Sequence, residues 1–158
     1  MAFRLSQRSL DRLKGVHPQL VETVVEAIDL THIDFGVTCG LRTIEEQEKL
    51  VEDGKSQTMN SMHLPQDPDG FSHAVDLVAY MGSDVAWELN LYDDICEAMR
   101  QAAHKTNCPI KWGAAWTEGD IRDYPDTPEQ AMMSYIDLRR SQGRRPFLDG
   151  PHFEMISE

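Results

Sequence analysis

The run Ala74-Val-Asp-Leu-Val-Ala-Tyr80 reads as a strand for the interior of a sheet at every position but one. Aspartate is disfavoured in strands, and a carboxylate taken into apolar surroundings is costly unless a cation or several donors meet it. Asp76 therefore demands a partner, and whatever folds around this strand has to deliver one. A metal ion is a strong candidate. Two other segments carry imidazoles that could complete its ligand set, Ser61-Met-His63 upstream and Asp149-Gly-Pro-His-Phe-Glu154 near the C-terminus.

Side-chain alternation sorts the candidates. Residues three apart on a regular strand point to opposite faces, so His73 and Asp76 do not converge and His63 is the better mate. The same rule puts His152 and Glu154 on one face of a last strand, with Asp149 in the Gly-Pro turn before it. His63, Asp76 and His152 then make the ligand set of a catalytic zinc site, three protein groups with a fourth position left for water. Glu154 reads as an orienter of a ligand. Asp149 is a carboxylate with no evident structural task, which a turn can swing over the metal.

Around this centre the pattern alternates helices and short strands. Residues 6–14 are weakly helical, with Ser9 as N-cap and Gly15 as stop. Leu20, Val21, Val24, Val25 and Ile28 recur at helical spacing and predict a helix over 18–29. Asp34–Cys39 alternates like a strand, and Thr43 with Glu46 forms a capping box opening a helix that Gly54 ends. Arg42 lies in the turn between them, where scaffolds often hold functional side chains. A second strong helix covers 90–106, a short strand 110–113, and Thr127-Pro-Glu-Gln130 opens a helix running to about Arg140, with Met132, Tyr135 and Leu138 on its buried side. That helix reads as an insertion near the site, suited to a lid. Trp112 and Trp116 could pack in the core or line a groove. His17, His32 and His104 read as capping or solvated histidines.

The 158 residues suit one domain able to bury a core without staples. A net charge of −12 argues against nucleic acid and anionic membrane surfaces as partners. The cluster Arg139, Arg140, Arg144 and Arg145 reads as a solvated basic face, although it could grip a carboxylate. Cys39, Cys96 and Cys108 are widely spaced, which suggests reduced core thiols. The first ten residues lack the apolar run of a signal peptide, and no segment approaches the length of a membrane span.

Taken together, the segments Val37-Thr-Cys-Gly-Leu-Arg-Thr43, Lys55–His63, Ala74-Val-Asp76 and Asp149–Glu154, with the Phe3-Arg-Leu start, resemble a known family. It is the zinc peptidases of bacterial cell walls that share a metal-site fold with D-alanyl-D-alanine carboxypeptidases and hedgehog signalling domains. Within it, the chain is most similar to phage endolysins of the L-alanyl-D-glutamate endopeptidase type. The resemblance implies an α+β fold, a small antiparallel sheet carrying the zinc site and packed with helices. It implies Zn2+ on His63, Asp76 and His152, Asp149 as catalytic acid/base, and Arg42 and Ser61 in contact with substrate or the developing oxyanion. It also implies the peptidoglycan stem peptide as substrate, a monomer, and passage from the host cytoplasm to the wall through a holin-type lesion. Two departures bear on specificity. The family pattern Ser-x-His-x-x-Gly-x-Ala-x-Asp is lengthened here by a loop at about 65–70, with Ser72 where the glycine belongs, and a helical segment is inserted at about 117–146. The alternatives are a carboxypeptidase releasing terminal D-alanine and a non-catalytic wall-binding module of the same fold.

Overall fold

The computed structural model describes residues 3–156. Helices α1 (Gln7–Arg12) and α2 (Pro18–Leu30) lead into strand β1 (Asp34–Cys39), followed by α3 (Ile44–Glu52), β2 (Ala74–Met81) and β3 (Asp84–Ala86). Then come α4 (Leu89–Thr106), β4 (Ile110–Trp112), a 3-10 turn at Ile121–Asp123, α5 (Pro128–Ser141) and β5 (His152–Met155). The sheet is antiparallel throughout, in the order β1-β2-β5-β4, with hairpin strand β3 paired to the far end of β2. This is an α+β architecture with Asp76 on the central strand.

The pairing explains how one strand serves two environments. Val75, Leu77 and Ala79 of β2 share a face with Phe35 and Val37 of β1 and Phe153 of β5, and all are buried in the main core. Helices α2 and α4 pack together over that core, α4 contributing Leu91, Ile95, Ala98, Met99 and Ala102 from one face. Each large side chain of this set contributes about 1.5–3 kcal/mol on leaving water. The opposite face of β2 and β5 carries Asp76, His152 and Glu154, so the alternation that builds the core also builds the site.

Several local readings shift. The first helix is capped by Ser6, whose hydroxyl accepts the Ser9 amide, and Ser9 is instead buried inside the helix, its hydroxyl accepting the Val37 amide at 2.9 Å. His17 caps α2 through Nδ1, which accepts the Gln19 amide. Helix α5 packs on α4 through Ala131, Met132, Tyr135 and Ile136, whereas Leu138 falls outside that stripe and is exposed. It packs as a core helix rather than lying across the cleft as a lid. Cys96 and Cys108 are core thiols; Cys39 is only half-buried and outside the core.

Helix α4 also carries a defect. One carboxylate oxygen of Asp93 is buried without a hydrogen-bond partner, and burial, with the charges of Glu129 and Asp94, pushes its pKa up to about 6. A folded-state pKa above the unfolded value of ~3.9 means that ionised Asp93 opposes folding at neutral pH, and the penalty fades as pH falls toward 4. Asp93→Asn is therefore expected to stabilise the fold at pH 7–8 by on the order of 1 kcal/mol after solvent screening. Thermal melts from pH 4 to 8 should show the gain shrinking with acidity; a gain independent of pH would refute the cause.

Candidate metal centre

The site is assembled by backbone before any side chain reaches it. Asp149-Gly-Pro-His152 forms a turn closed by the His152 amide on the Asp149 carbonyl at 3.0 Å. Gly113, just after β4, clamps both ends: its carbonyl accepts the Asp149 amide at 2.9 Å and its amide donates to the His152 carbonyl at 2.8 Å. A Cβ on Gly113 would run into the Asp149 carbonyl and the His152 side chain, so only glycine permits this approach. The buried Trp112 indole donates to the Gly150 carbonyl at 2.8 Å. Upstream, the Arg42 amide donates to the His63 carbonyl, and the Ser61 hydroxyl accepts the His63 amide at 3.2 Å, so both backbone polar groups of His63 are fixed.

His63 and His152 flank Asp76. Oδ1 of Asp76 lies 3.2 Å from His63 Nε2 and 3.2 Å from His152 Nδ1, and the two rings stand 5.1 Å apart. The donor atoms fall into two sets, each within a 4.8 Å span, that share this carboxylate: Cys39, His63 and Asp76 in one, Asp76, Asp149 and His152 in the other. His73 points elsewhere, to Asp69 at 2.9 Å.

The outer ring nitrogens decide what the inner ones can do. His63 Nδ1 lies 2.8 Å from the Gly40 carbonyl, and His152 Nε2 lies 2.8 Å from a Glu154 carboxylate oxygen. Both partners only accept, so both outer nitrogens carry the proton, and each neutral ring turns a lone pair toward Asp76. Three acceptors thus converge, an arrangement that needs either protons or a cation among them. This pattern, a carbonyl or carboxylate holding the far nitrogen, is the outer shell of metal-binding histidines. Each inner imidazole nitrogen lies 3.2 Å from Asp76 Oδ1, a separation suited to neighbouring ligands of one cation, and the donor set is compatible with a metal ion.

Without a cation, protons meet the carboxylate. Burial opposes a charge on His63, yet hydrogen bonding to Asp76 and Cys39 outweighs it and pushes the pKa up to about 10. His152, equally opposed by burial, is pushed up to about 9 by Asp76 and Glu154. Asp76, which burial would raise, is held well below the carboxylate range by the two imidazoles. A second group, His17, Asp69 and His73, also gathers ligand atoms, but His17 Nδ1 accepts an amide proton, so its free Nε2 carries the hydrogen in the neutral ring. That tautomer turns a donor toward Asp69 at 4.0 Å, while His73 hydrogen-bonds the same carboxylate at 2.9 Å.

A cleft of about 740 Å³ opens over the centre. Arg42, Ser61, His63, Asp76, Asp149, His152 and Glu154 line it, with Lys55–Thr58 along one wall and Trp116 and Phe147 along the other. Trp116 lies 5.3 Å from the His152 ring and 6.1 Å from Phe147, and its indole donates to the Phe147 carbonyl. The Tyr135 hydroxyl of α5 accepts the Phe147 amide at 3.0 Å, so the 117–146 segment reaches the cleft by holding this aromatic. Phe147 was invisible to periodicity, its signal being only that a large apolar residue between Pro146 and Leu148 is exposed. None of the clustered arginines lines the cleft. Arg42 donates to Gln47 at 2.7 Å and to Cys39 Sγ at 3.2 Å, and lies 4.0 Å from Asp76. Burial, then the charge of Asp76, raises the pKa of Asp149, with His152, His63 and Arg42 pulling the other way.

The extra loop at 65–70 is solvent-exposed and closes on itself through Gln66 and Gly70. Ser72, in the glycine's place, is buried and donates to backbone carbonyls, including that of Ala74 at 2.9 Å.

The family described as phage L-alanyl-D-glutamate peptidase matches residues 1–156. The L-alanyl-D-glutamate peptidase of Escherichia phage T5 is 26% identical over 128 residues, covering 78% of this chain and 89% of that protein. The crystal structure of the Serratia marcescens L-Ala D-Glu endopeptidase ChiX superposes with a TM-score of 0.70 at 31% identity, covering 98% of this chain and 91% of that one.

Proposed function

The chain belongs to the phage L-alanyl-D-glutamate peptidase family, and from that membership we propose that it is a zinc-dependent endolysin cutting the L-Ala-D-Glu bond of the peptidoglycan stem peptide. The observation carrying the zinc is the pair of imidazoles whose outer nitrogens are both spent on acceptors, which leaves both inner lone pairs on Asp76. His63, Asp76 and His152 would hold the ion. Bound there, zinc supplies a Lewis acid and brings the pKa of a water toward ~7.

Asp149 takes the proton of the attacking water and returns it to the leaving amine. Its raised pKa moves this carboxylate toward the range where a general base both holds and releases a proton near neutrality. Arg42 supplies the donor for the oxyanion and Ser61 a further substrate contact, both from the cleft wall. Such a donor is often worth roughly 3 kcal/mol. Trp116 and Phe147 bound the substrate on the other side. The carboxypeptidase alternative calls for a charged end to the cleft; the clustered arginines lie outside it, and Arg42 and Lys55 are the cations among its lining. Among the described residues no helix is long and apolar enough to cross a membrane. A path from the host cytoplasm to the wall therefore calls for a separate lesion of the holin type.

The test is digestion of purified Gram-negative peptidoglycan by zinc-reconstituted protein beside a chelated control, read by mass spectrometry. New L-alanine C-termini with D-glutamate N-termini, absent from the control, are the expected products. Released D-alanine would assign the carboxypeptidase instead, and intact peptides with zinc demonstrably bound would assign a binding module.

A further inference from the structure

Strand β1 enters the site with a fault in its pairing. Val37 lies opposite Leu77, but Cys39 lies opposite Asp76, so Thr38 is one residue too many for the partner strand. Directly opposed residues of an antiparallel pair share a face. Without the bulge Cys39 would fall opposite Val75 and follow Phe35 and Val37 into the core. With it the side chain turns to the face of Asp76 and leaves the core that encloses Cys96 and Cys108. Bulges beside active sites commonly re-aim a side chain in this way.

The sulfur so turned joins a set of ligand atoms. Cys39 Sγ, His63 and Asp76 offer atoms within 4.8 Å of one another. His63 is only 3% exposed, its Nδ1 is spent on the Gly40 carbonyl, and its Nε2 is therefore turned into this set, 3.2 Å from Asp76 Oδ1. Register and proximity point the same way.

We propose that Cys39 is a further protein ligand of the metal centre, reaching it from the side of His63 and Asp76. The proposal rests on the metallopeptidase reading above. A thiol is a strong ligand for zinc, and ligation releases its proton to solvent while a sulfur–metal bond forms. Arg42 Nη2 donates to the same sulfur at 3.2 Å, so guanidinium and metal compete for it.

Cobalt(II) reports sulfur ligation directly. Metal-free full-length protein is loaded with one equivalent of cobalt and its absorption spectrum recorded, for the native chain and for Cys39→Ser. The expected result is visible tetrahedral bands in both, with a near-ultraviolet sulfur-to-cobalt band present in the native protein and completely lost in Cys39→Ser. Visible bands without the near-ultraviolet one, or its survival in Cys39→Ser, would overturn the role of Cys39 and leave the centre intact. Absence of cobalt binding in the native chain would overturn the metallopeptidase reading together with it.

Discussion

Asp149→Asn is expected to lower kcat on a stem-peptide substrate about 10²–10⁴-fold, the usual contribution of a positioned general acid–base, while zinc stoichiometry stays at that of the native protein. The side chain belongs to the set with Asp76 and His152, so it reaches the reacting space without being one of the residues assigned to the ion. Stability separates this role from a structural one. Burial and the charge of Asp76 raise the pKa of Asp149 in the folded state, so its ionised form opposes folding above the unfolded pKa. The amide removes that cost, and the variant should melt no lower than the native protein at pH 7. Elemental analysis, melting and steady-state kinetics on one preparation check all three. An Asp149→Asn variant with near-native kcat would remove the assignment, and one that had lost its zinc would make Asp149 a ligand instead.

What could be read from sequence was what depends on neighbours in sequence. Thr43 and Glu46 fix the start of α3 through a capping box that both side chains complete, and the stripe of α4 follows from spacing alone. The face shared by Asp76, His152 and Glu154 follows from alternation, because β2 and β5 pair without interruption there. Cys39 escaped for the complementary reason. Its face is set by a register slip against β2, which no count along β1 contains, and alternation sends it to the core. Leu138 was misplaced because the stripe α5 buries, chiefly against α4, is narrower than the pattern allowed. The cleft wall at Phe147 arises from a hydroxyl twelve residues earlier, Tyr135, and from Trp116 beyond that. Long-range choices of this kind decide the substrate side of the site, whereas the assigned metal ligands come from local rules.

Removing the metal should change not only stability but the direction in which stability varies with pH. In the metal-free protein His63 and His152 carry pKa values of about 10 and about 9, above the unfolded value of ~6.5. A raised folded pKa contributes stability that is complete below 6.5 and is lost as pH climbs through 9 to 10. Asp76, held low, contributes above ~3.9 and loses its share as pH falls. The chelated protein should therefore melt highest between about pH 4 and 6.5 and progressively lower in alkali. Zinc needs the same two nitrogens free of protons, so its binding strengthens in the direction that weakens the proton-held form. At a free concentration a hundredfold above Kd it adds about 2.7 kcal/mol, and the gap between loaded and chelated melting temperatures should widen steadily from pH 6 to 9. His152→Ala should abolish that gap at every pH, since it removes a ligand and the partner of Glu154 at once. A gap of constant size across this range would mean that metal and protons do not share His63 and His152, and the ion would have to be sought elsewhere in the cleft.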